Sequence, residues 1–164
     1  MDINEEPPKR KIHLPICLEF PTFQIKLENR MKHILEVLPN GLIICNVKIT
    51  NPLPDKNETV ECAALIDTGS QITAICKSIY NKFSIDLSKE EKISILTLNG
   101  MESEAPYYPF KMNVPHNNWC SSFTRAVIKD FTDREKYEAI IGIDILRNFI
   151  LHYDGIQGTA ILYS

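Results

Sequence analysis

The tetrapeptide Asp67-Thr68-Gly69-Ser70 carries residue types that can perform acid–base chemistry. It follows residues 60–66, whose apolar alternation predicts a β-strand that delivers the Asp67 carboxylate to the edge of a sheet. Gly69 lets the chain turn sharply just after the acid, and the hydroxyls of Thr68 and Ser70 can donate hydrogen bonds that orient it. Because all four residue types are common in turns, the tetrapeptide alone leaves an ordinary turn open.

A second segment, residues 139–146, repeats this arrangement later in the chain. Its apolar residues lead through Ile141 to Gly142 and then into a short stretch with helical character that contains Asp144. Because Asp144 lies inside that predicted helix, we interpret it as a cap or structural residue and not as a second catalytic acid. Ile141 and Gly142 are likewise interpreted as structural.

The two segments together resemble the retroviral-type aspartic proteases, or retropepsins. In that family an apolar pair leads into Asp-Thr-Gly-Ser/Ala, a hairpin flap follows, and a second apolar pair leads into Gly-x-Asp/Asn-x-Leu. The resemblance covers residues 41–164. Retroviral members usually have arginine directly after the second glycine, where this chain has Ile143, so it is more similar to retrotransposon members of the gypsy or BEL/Pao type.

This resemblance implies a fold and a set of residue roles. The expected fold is mainly β: a retropepsin-like closed β-barrel, the acid-protease half, with one or two short helices. Asp67 would be the catalytic acid/base, Thr68 would bond to the partner's loop across a dimer, and Gly69 and Ser70 would support the carboxylate through backbone N–H and hydroxyl donors. The implied activity is an aspartic endopeptidase of the polyprotein-maturation type.

The resemblance also implies a flap that covers a polypeptide substrate and excludes water. Asn99-Gly100 is a hairpin-type dipeptide, and Asn99, Gly100 and Met101 would form the flap. Since water is the nucleophile in this family, no metal and no organic cofactor is required.

The number of carboxyl groups predicts a homodimer. Peptide hydrolysis by carboxyl groups needs two of them, one ionised to take a proton from water and one protonated to polarise the scissile carbonyl. Two such groups about 3 Å apart cannot both ionise, so they share one proton. The chain has one Asp-Thr-Gly sequence. The second carboxylate must therefore come from a second copy, with Asp67 facing Asp67 across a twofold axis.

Two alternatives stay open at this point. The first is a domesticated retropepsin-like domain that serves dimerisation or protein binding and has little or no peptidase activity. The second is a β-barrel binding module with a coincidental Asp-Thr-Gly turn. Cleavage that is inhibited by a statine-type transition-state mimic would separate the protease from both alternatives.

The chain is predicted to divide at about residue 41. Residues 1–40 form an N-terminal extension, in which residues 24–38 have apolar side chains at helical spacing and Pro-Asn-Gly follows as a terminator. Residues 41–164 form the retropepsin-like domain. The residue pattern predicts strands near 45–49, 60–66, 93–98, 107–114, 123–128 and 159–162, and short helices at 77–83 and 144–149. The resemblance implies that 150–154 and 159–162 are the closing strands.

Composition excludes several classes of protein. With 18 Lys+Arg against 21 Asp+Glu, the formal net charge is -3, and no broad basic field exists to hold nucleic acid. No apolar run is long enough for a membrane span, and the acidic N-terminus is unlike a secretory signal, so we expect an intracellular, cytoplasmic protein. The five cysteines form no Cys-x-x-Cys pair, which argues against a zinc site, and Cys45 and Cys62 are expected in the core.

Overall fold

The computed structural model describes residues 30–53, 58–96, 100, 102–114, 119–120, 124–130 and 136–164. Within these residues the chain forms eleven strands, two short α-helices and one 3-10 turn at Leu87–Lys89. The helices are α1 (Lys77–Lys82) and α2 (Ile143–Leu146). The strands are β1 (Lys32–Val37), β2 (Ile43–Thr50), β3 (Thr59–Ile66), β4 (Ala74–Cys76), β5 (Lys92–Leu96), β6 (Glu102–Val114), β7 (Trp119–Cys120), β8 (Thr124–Lys129), β9 (Ala139–Ile141), β10 (Ile150–Asp154) and β11 (Thr159–Tyr163).

The strands form one sheet that is partly ringed. Its order is β10-β11-β1-β2-β3-β9-β4-β8-β6-β5, and β6 also pairs with β2, which closes a ring through β3, β9, β4 and β8. The mainly β fold is confirmed, but the predicted closed barrel is wrong. β5 pairs only with the first part of β6, and β10, β11 and β1 form an antiparallel extension beyond β2, so these four strands lie outside the ring.

The hydrophobic core lies between the strands of this ring and α1, and it extends to Leu35, Ala160 and Leu162 of β1 and β11. Cys45, Val47 and Ile49 of β2 are buried while the residues between them are exposed, as the alternation predicted. Cys45 and Cys62 are both buried, and burial raises the pKa of each thiol to about 12. From α1, Ile79 and Tyr80 pack into the core, and Tyr80 contacts the ring of Tyr108 edge-on with 5.3 Å between ring centroids.

The predicted helix at residues 24–38 is wrong for its C-terminal half. Lys32–Val37 is strand β1, in which Lys32–Leu35 pair with Tyr163–Ala160 of β11 and Glu36 and Val37 pair with the start of β2. The partner strand lies at the other end of the chain, so no local periodicity could reveal it. Residues 24–29 lie outside the described residues. The division into extension and domain stays a prediction, although β1 belongs to the same sheet as the rest.

Most other predicted elements are confirmed. β2, β3, β5, β6, β8, β10, β11 and α1 occur close to their expected positions. β6 begins earlier than expected, at Glu102, and α2 ends at Leu146, before the predicted residue 149. The short strands β4 and β7 were not predicted. Among the described residues, no helix has the length and apolar character needed to cross a membrane.

Candidate active site

Asp67 follows β3 directly and lies beside the second segment. β3 pairs in parallel with β9, with Leu65 opposite Ile140 and Ile66 opposite Ile141. The backbone N–H of Asp67 then donates to the carbonyl of Ile141 at 3.1 Å. The two segments that the sequence singled out are therefore neighbours in space, with Asp67 at the point where both strands end.

The Asp67 side chain is partly exposed and is held by its own turn. Its Oδ1 accepts a hydrogen bond from the backbone N–H of Gly69 at 2.9 Å, and the N–H of Ser70 donates to the carbonyl of Asp67 at 3.2 Å. A Cβ at Gly69 would lie 3.2 Å from Asp67 Oδ1, so the glycine also gives the carboxylate room. This geometry orients the carboxylate and leaves it accessible to water and substrate.

The other two residues of the tetrapeptide differ in their surroundings. Thr68 is exposed, and its contact with a partner's loop stays a prediction. The hydroxyl of Ser70 donates to the carbonyl of Ile72 at 2.8 Å, whereas we expected it to support the carboxylate. Ser70 thus stabilises the backbone of the loop, and the donor to Asp67 is the Gly69 amide.

Gly142 allows the two segments to touch through their backbones. A Cβ at this position would lie 2.8 Å from the carbonyl carbon of Ile72 and 2.9 Å from the carbonyl oxygen of Ser70. The N–H of Ile143, the residue in place of the arginine, donates to the same Ser70 carbonyl at 2.8 Å. The sequence signal at Gly142 therefore marks a close backbone contact with the loop that carries Asp67.

Asp144 lies in the first turn of α2 and is not its N-cap residue. The N-cap position is Gly142, which supplies no side-chain cap. The Asp144 carboxylate instead accepts hydrogen bonds from the backbone N–H of Thr73 at 3.0 Å and from its hydroxyl at 2.8 Å. Thr73 is fully buried and was missed by the sequence analysis, because an isolated threonine after the tetrapeptide carries no local signal.

The predicted flap region is a β-hairpin. β5 and β6 pair in antiparallel register up to Leu96 opposite Glu102. Gly100, in the turn, has φ 75, which favours glycine. Asn99 and Met101, which were also assigned to the flap, lie outside the described residues.

The base of this hairpin is anchored to β8. The N–H of Tyr107 donates to the carbonyl of Glu91 at 2.8 Å, and the Glu91 carboxylate forms an ion pair with Arg125. The guanidinium of Arg125 lies 5.1 Å from the centroid of the Tyr107 ring. The hairpin therefore projects from a fixed base. Among the residues that the structure describes, no group of three His, Cys, Asp or Glu side chains is arranged to hold a metal ion.

The fold resembles those of known proteins, although no protein-family model and no curated protein sequence matches the chain. A retropepsin-like aspartic protease from Rickettsia conorii superposes with a TM-score of 0.60 at 19% identity, over 80% of this chain and 89% of that one. EIAV protease in complex with the inhibitor HBY-793 gives a TM-score of 0.42 at 20% identity, over 76% and 91%. The retroviral protease-like domain of Ddi1 from Leishmania major gives 0.41 at 14% identity, over 71% and 86%. The superposition on the Rickettsia conorii protein shows that the chain has the retropepsin-like fold.

Proposed function

We propose that this protein is an aspartic endopeptidase whose active site forms between two copies of the chain. The observation that carries the proposal is the position of Asp67 in a retropepsin-like fold. Its carboxylate is partly exposed, is oriented by the Gly69 amide, and follows a buried strand whose neighbour leads into Gly142. These contacts fix the position of the carboxylate. Such a fixed position is needed because a catalytic pair of carboxyl groups must be held within about 0.5 Å of its productive geometry.

A second copy is needed because no second acid occupies an equivalent position in the part of the chain that the structure describes. Asp144 is the acid in the second motif, and both of its carboxylate oxygens accept hydrogen bonds from Thr73. The site is therefore half complete in one chain. In the dimer each Asp67 would supply one carboxyl group to a pair that shares a proton.

The proposed mechanism uses water as the nucleophile. The ionised carboxylate of the pair takes a proton from a water molecule, whose oxygen attacks the scissile carbonyl carbon. The protonated carboxyl group of the other Asp67 donates to the carbonyl oxygen as it gains charge. The carboxyl group that took the proton from water then gives it to the leaving nitrogen, and the C–N bond breaks. The other carboxylate takes a proton from a hydroxyl of the tetrahedral intermediate, which leaves the carboxylic acid product and restores the shared proton. The hairpin that contains Asn99, Gly100 and Met101 would close over the polypeptide and exclude bulk water.

We further propose that the two copies meet through the terminal sheet, which consists of β10, β11 and β1. This sheet connects to the elements that carry the site. Glu36 of β1 pairs with Ile44, which pairs with Leu65 close to Asp67, and β10 begins shortly after α2, whose first residue bonds to Ser70. A contact made by the terminal sheet would place the partner close to the turn at residues 67–70.

The outer face of the terminal sheet is apolar around Ile34 and carries polar and charged side chains toward its edges. Ile34 is 75% exposed, and the register places it in one row with Ile161 and His152. In the next row Tyr163 and Ile150 are partly exposed, and Lys32 beside them is exposed. The opposite face holds the buried residues Leu35, Ala160 and Leu162. An exposed isoleucine at the centre of such a face would lose its contact with water in a dimer.

Two finer points rest on the sequence resemblance. Ile143 in place of arginine supports a relation to retrotransposon enzymes. A polyprotein is accordingly the proposed type of substrate, and residues 1–40 are the proposed extension that precedes the enzyme domain.

The test is cleavage of a diverse peptide library by the purified chain over a range of protein concentrations. We expect specific activity to rise with concentration, because the dimer dissociates on dilution. A statine-type inhibitor should block cleavage, and Asp67→Asn should abolish it while circular dichroism and the dimer stay unchanged. Dimerisation without any cleavage would instead show a binding domain, and cleavage by Asp67→Asn at the wild-type rate would remove Asp67 from the mechanism.

A further inference from the structure

Thr73 is a fully buried polar residue at the far end of the aspartyl loop, which we define as residues 67–73. The exposed fraction of its surface is 0%, and that of the polar residue Asn51 is 3%. The hydroxyl of Thr73 donates to Asp144 Oδ1 at 2.8 Å and accepts from the N–H of Gly142 at 3.2 Å. Because the buried hydroxyl has both a donor and an acceptor partner, its hydrogen-bonding needs are met and its orientation is fixed.

Asp144 completes the arrangement from the other segment. Its Oδ2 accepts from the backbone N–H of Thr73 at 3.0 Å, and its Oδ1 accepts from the N–H of Ile145 at 3.0 Å in addition to the Thr73 hydroxyl. Thr73 and Asp144 are 71 residues apart in the sequence. One carboxylate thus binds the end of the aspartyl loop to the first turn of α2.

The aspartyl loop is consequently held at both ends. At its start the N–H of Asp67 bonds to Ile141, and at its end the Thr73–Asp144 pair fixes the backbone. The Asp67 carboxylate itself has one described intrachain partner, the Gly69 amide, which belongs to the same loop. Its position relative to the rest of the molecule therefore depends on how firmly the loop is fixed.

We propose that Thr73 and Asp144 are positioning residues that set the place of the Asp67 carboxylate for its meeting with the partner's carboxylate. This inference rests on the proposed function. The two carboxyl groups must share a proton at hydrogen-bond distance, and a displacement of about 1 Å at a reacting group can cost about 10²-fold in rate. Loss of the Thr73–Asp144 pair would leave the loop end held by its backbone alone, through the N–H of Val127 that donates to the Thr73 carbonyl at 3.0 Å, and would increase the spread of Asp67 positions.

The test compares variants that change the pair in graded steps. Thr73→Val keeps the shape but removes the hydroxyl, so Gly142 N–H and Asp144 Oδ1 each lose a partner. Thr73→Ser keeps the hydroxyl. Asp144→Asn keeps one acceptor oxygen and replaces the other with an amide NH2 group. In one orientation this group faces the N–H of Thr73 and in the other the N–H of Ile145, so two donors face each other in both.

We expect kcat to fall about 10²-fold in Thr73→Val, with KM changed much less, because positioning affects the reacting groups and not the substrate groove. Asp144→Asn should give an intermediate kcat, and Thr73→Ser should stay near the wild-type value. All assays are run on the dimer of the 164-residue chain below the unfolding temperature of each variant. If Thr73→Val does not fold, the comparison of kcat between Asp144→Asn and Thr73→Ser tests the proposal.

Asn51 provides the matched control. It is also a buried polar residue. Its side-chain oxygen accepts from the N–H of Leu53 at 3.1 Å, and it lies at the end of the β2–β3 pair that is distant from Asp67. Asn51→Ala should lower the unfolding temperature without lowering kcat. If Thr73 had only a structural role, Thr73→Val would likewise lower the unfolding temperature without lowering kcat.

A second readout separates this inference from the proposed function. If the wild-type chain cleaves nothing, the proposed function fails, and hydrogen exchange still measures how the loop is held. Thr73→Val should speed exchange at the amides of Gly69 and Ser70 relative to those of β2, and Thr73→Ser should not. Wild-type kcat in folded Thr73→Val, or unchanged exchange of the loop amides, would overturn the proposal.

Discussion

Gly142 lies against the backbone of Ile72 so closely that a Cβ at position 142 would be 2.8 Å from the carbonyl carbon of Ile72. The same Cβ would be 2.9 Å from the carbonyl oxygens of Ile72 and Ser70. Backbone atoms cannot rotate away as a side chain can, so one of the two segments would have to move. Gly142 has φ -89, which alanine adopts without strain, so the constraint is contact and not conformation.

Gly142→Ala is expected to destabilise the protein by about 1–3 kcal/mol, the usual cost of overpacking. It should also lower kcat, because the displaced segment is the aspartyl loop. Urea denaturation and peptide cleavage measure the two effects. Gly155→Ala is the matched control, since its nearest contact would be a ring carbon of Tyr153 at 3.5 Å. Equal stability of the two variants would contradict the close-contact account.

Ile34→Lys is expected to weaken the dimer, because it places a charge at the centre of the outer face of the terminal sheet. Sedimentation velocity should show a shift toward monomer, and specific activity should fall at low protein concentration. Ile156 is 100% exposed but lies in the turn between β10 and β11. Ile156→Lys should therefore leave the dimer unchanged. If Ile34→Lys dimerised as strongly as the wild type, the dimer contact would have to lie on another surface.

The pH profile of kcat/KM is expected to be bell-shaped with an acidic optimum. Cleavage needs one carboxyl group of the pair ionised and the other protonated, so activity falls when both are protonated and again when the shared proton is lost. Initial rates measured in overlapping buffers at constant ionic strength give the profile. A flat profile through neutral and alkaline pH would be incompatible with a shared proton.

The buried thiols predict a loss of stability at alkaline pH. Burial raises the pKa of Cys45 and of Cys62 from 9.0 to about 12, with Glu138 adding to the shift at Cys62. Between pH 9 and pH 12 the thiols lose their protons in the unfolded chain and keep them in the folded chain. The contribution of the buried thiols to the free energy of unfolding is therefore complete below pH 9 and is lost as the pH rises toward 12. The expected slope is about 1.4 kcal/mol per pH unit for each thiol.

The measurement is the free energy of unfolding under reducing conditions at pH 6, 8 and 10, for the wild type and for Cys45→Ala. The wild type should lose more stability than the variant between pH 8 and 10, whereas the two should run parallel between pH 6 and 8. Parallel behaviour over the whole range would show that the Cys45 thiol is not protected by burial.

The sequence predicted the parts of the fold that local patterns encode. Alternation marked β2 and β3, and Asn99-Gly100 marked a hairpin, because the period of apolar residues and the turn chemistry are local properties. β1 was mistaken for a helix since its partner β11 is distant in sequence and its outward-facing Ile34 spoils the alternation. β4 has only 3 residues, too few for a period to appear.

In the candidate site, too, the residues in local motifs were predicted and the residue that depends on contacts between distant segments was not. Asp67 and Gly142 were identified because each belongs to a recognisable run of residues, and the structure brings them together through the β3–β9 pair. Thr73 was missed because its importance lies in its burial and in its bonds to Asp144 and Gly142. These bonds exist only after the two segments have met in the fold.

The most direct test of the central proposal is a subunit-mixing experiment with wild-type and Asp67→Asn chains. The total protein concentration is kept constant, well above dimer dissociation, while the fraction of wild-type chain is varied. If one active site needs Asp67 from both copies, only wild-type homodimers cleave, and activity follows the square of the wild-type fraction, so that a 1:1 mixture retains one quarter. Activity that falls in direct proportion to the wild-type fraction would show that each chain cleaves by itself, and would contradict a shared site.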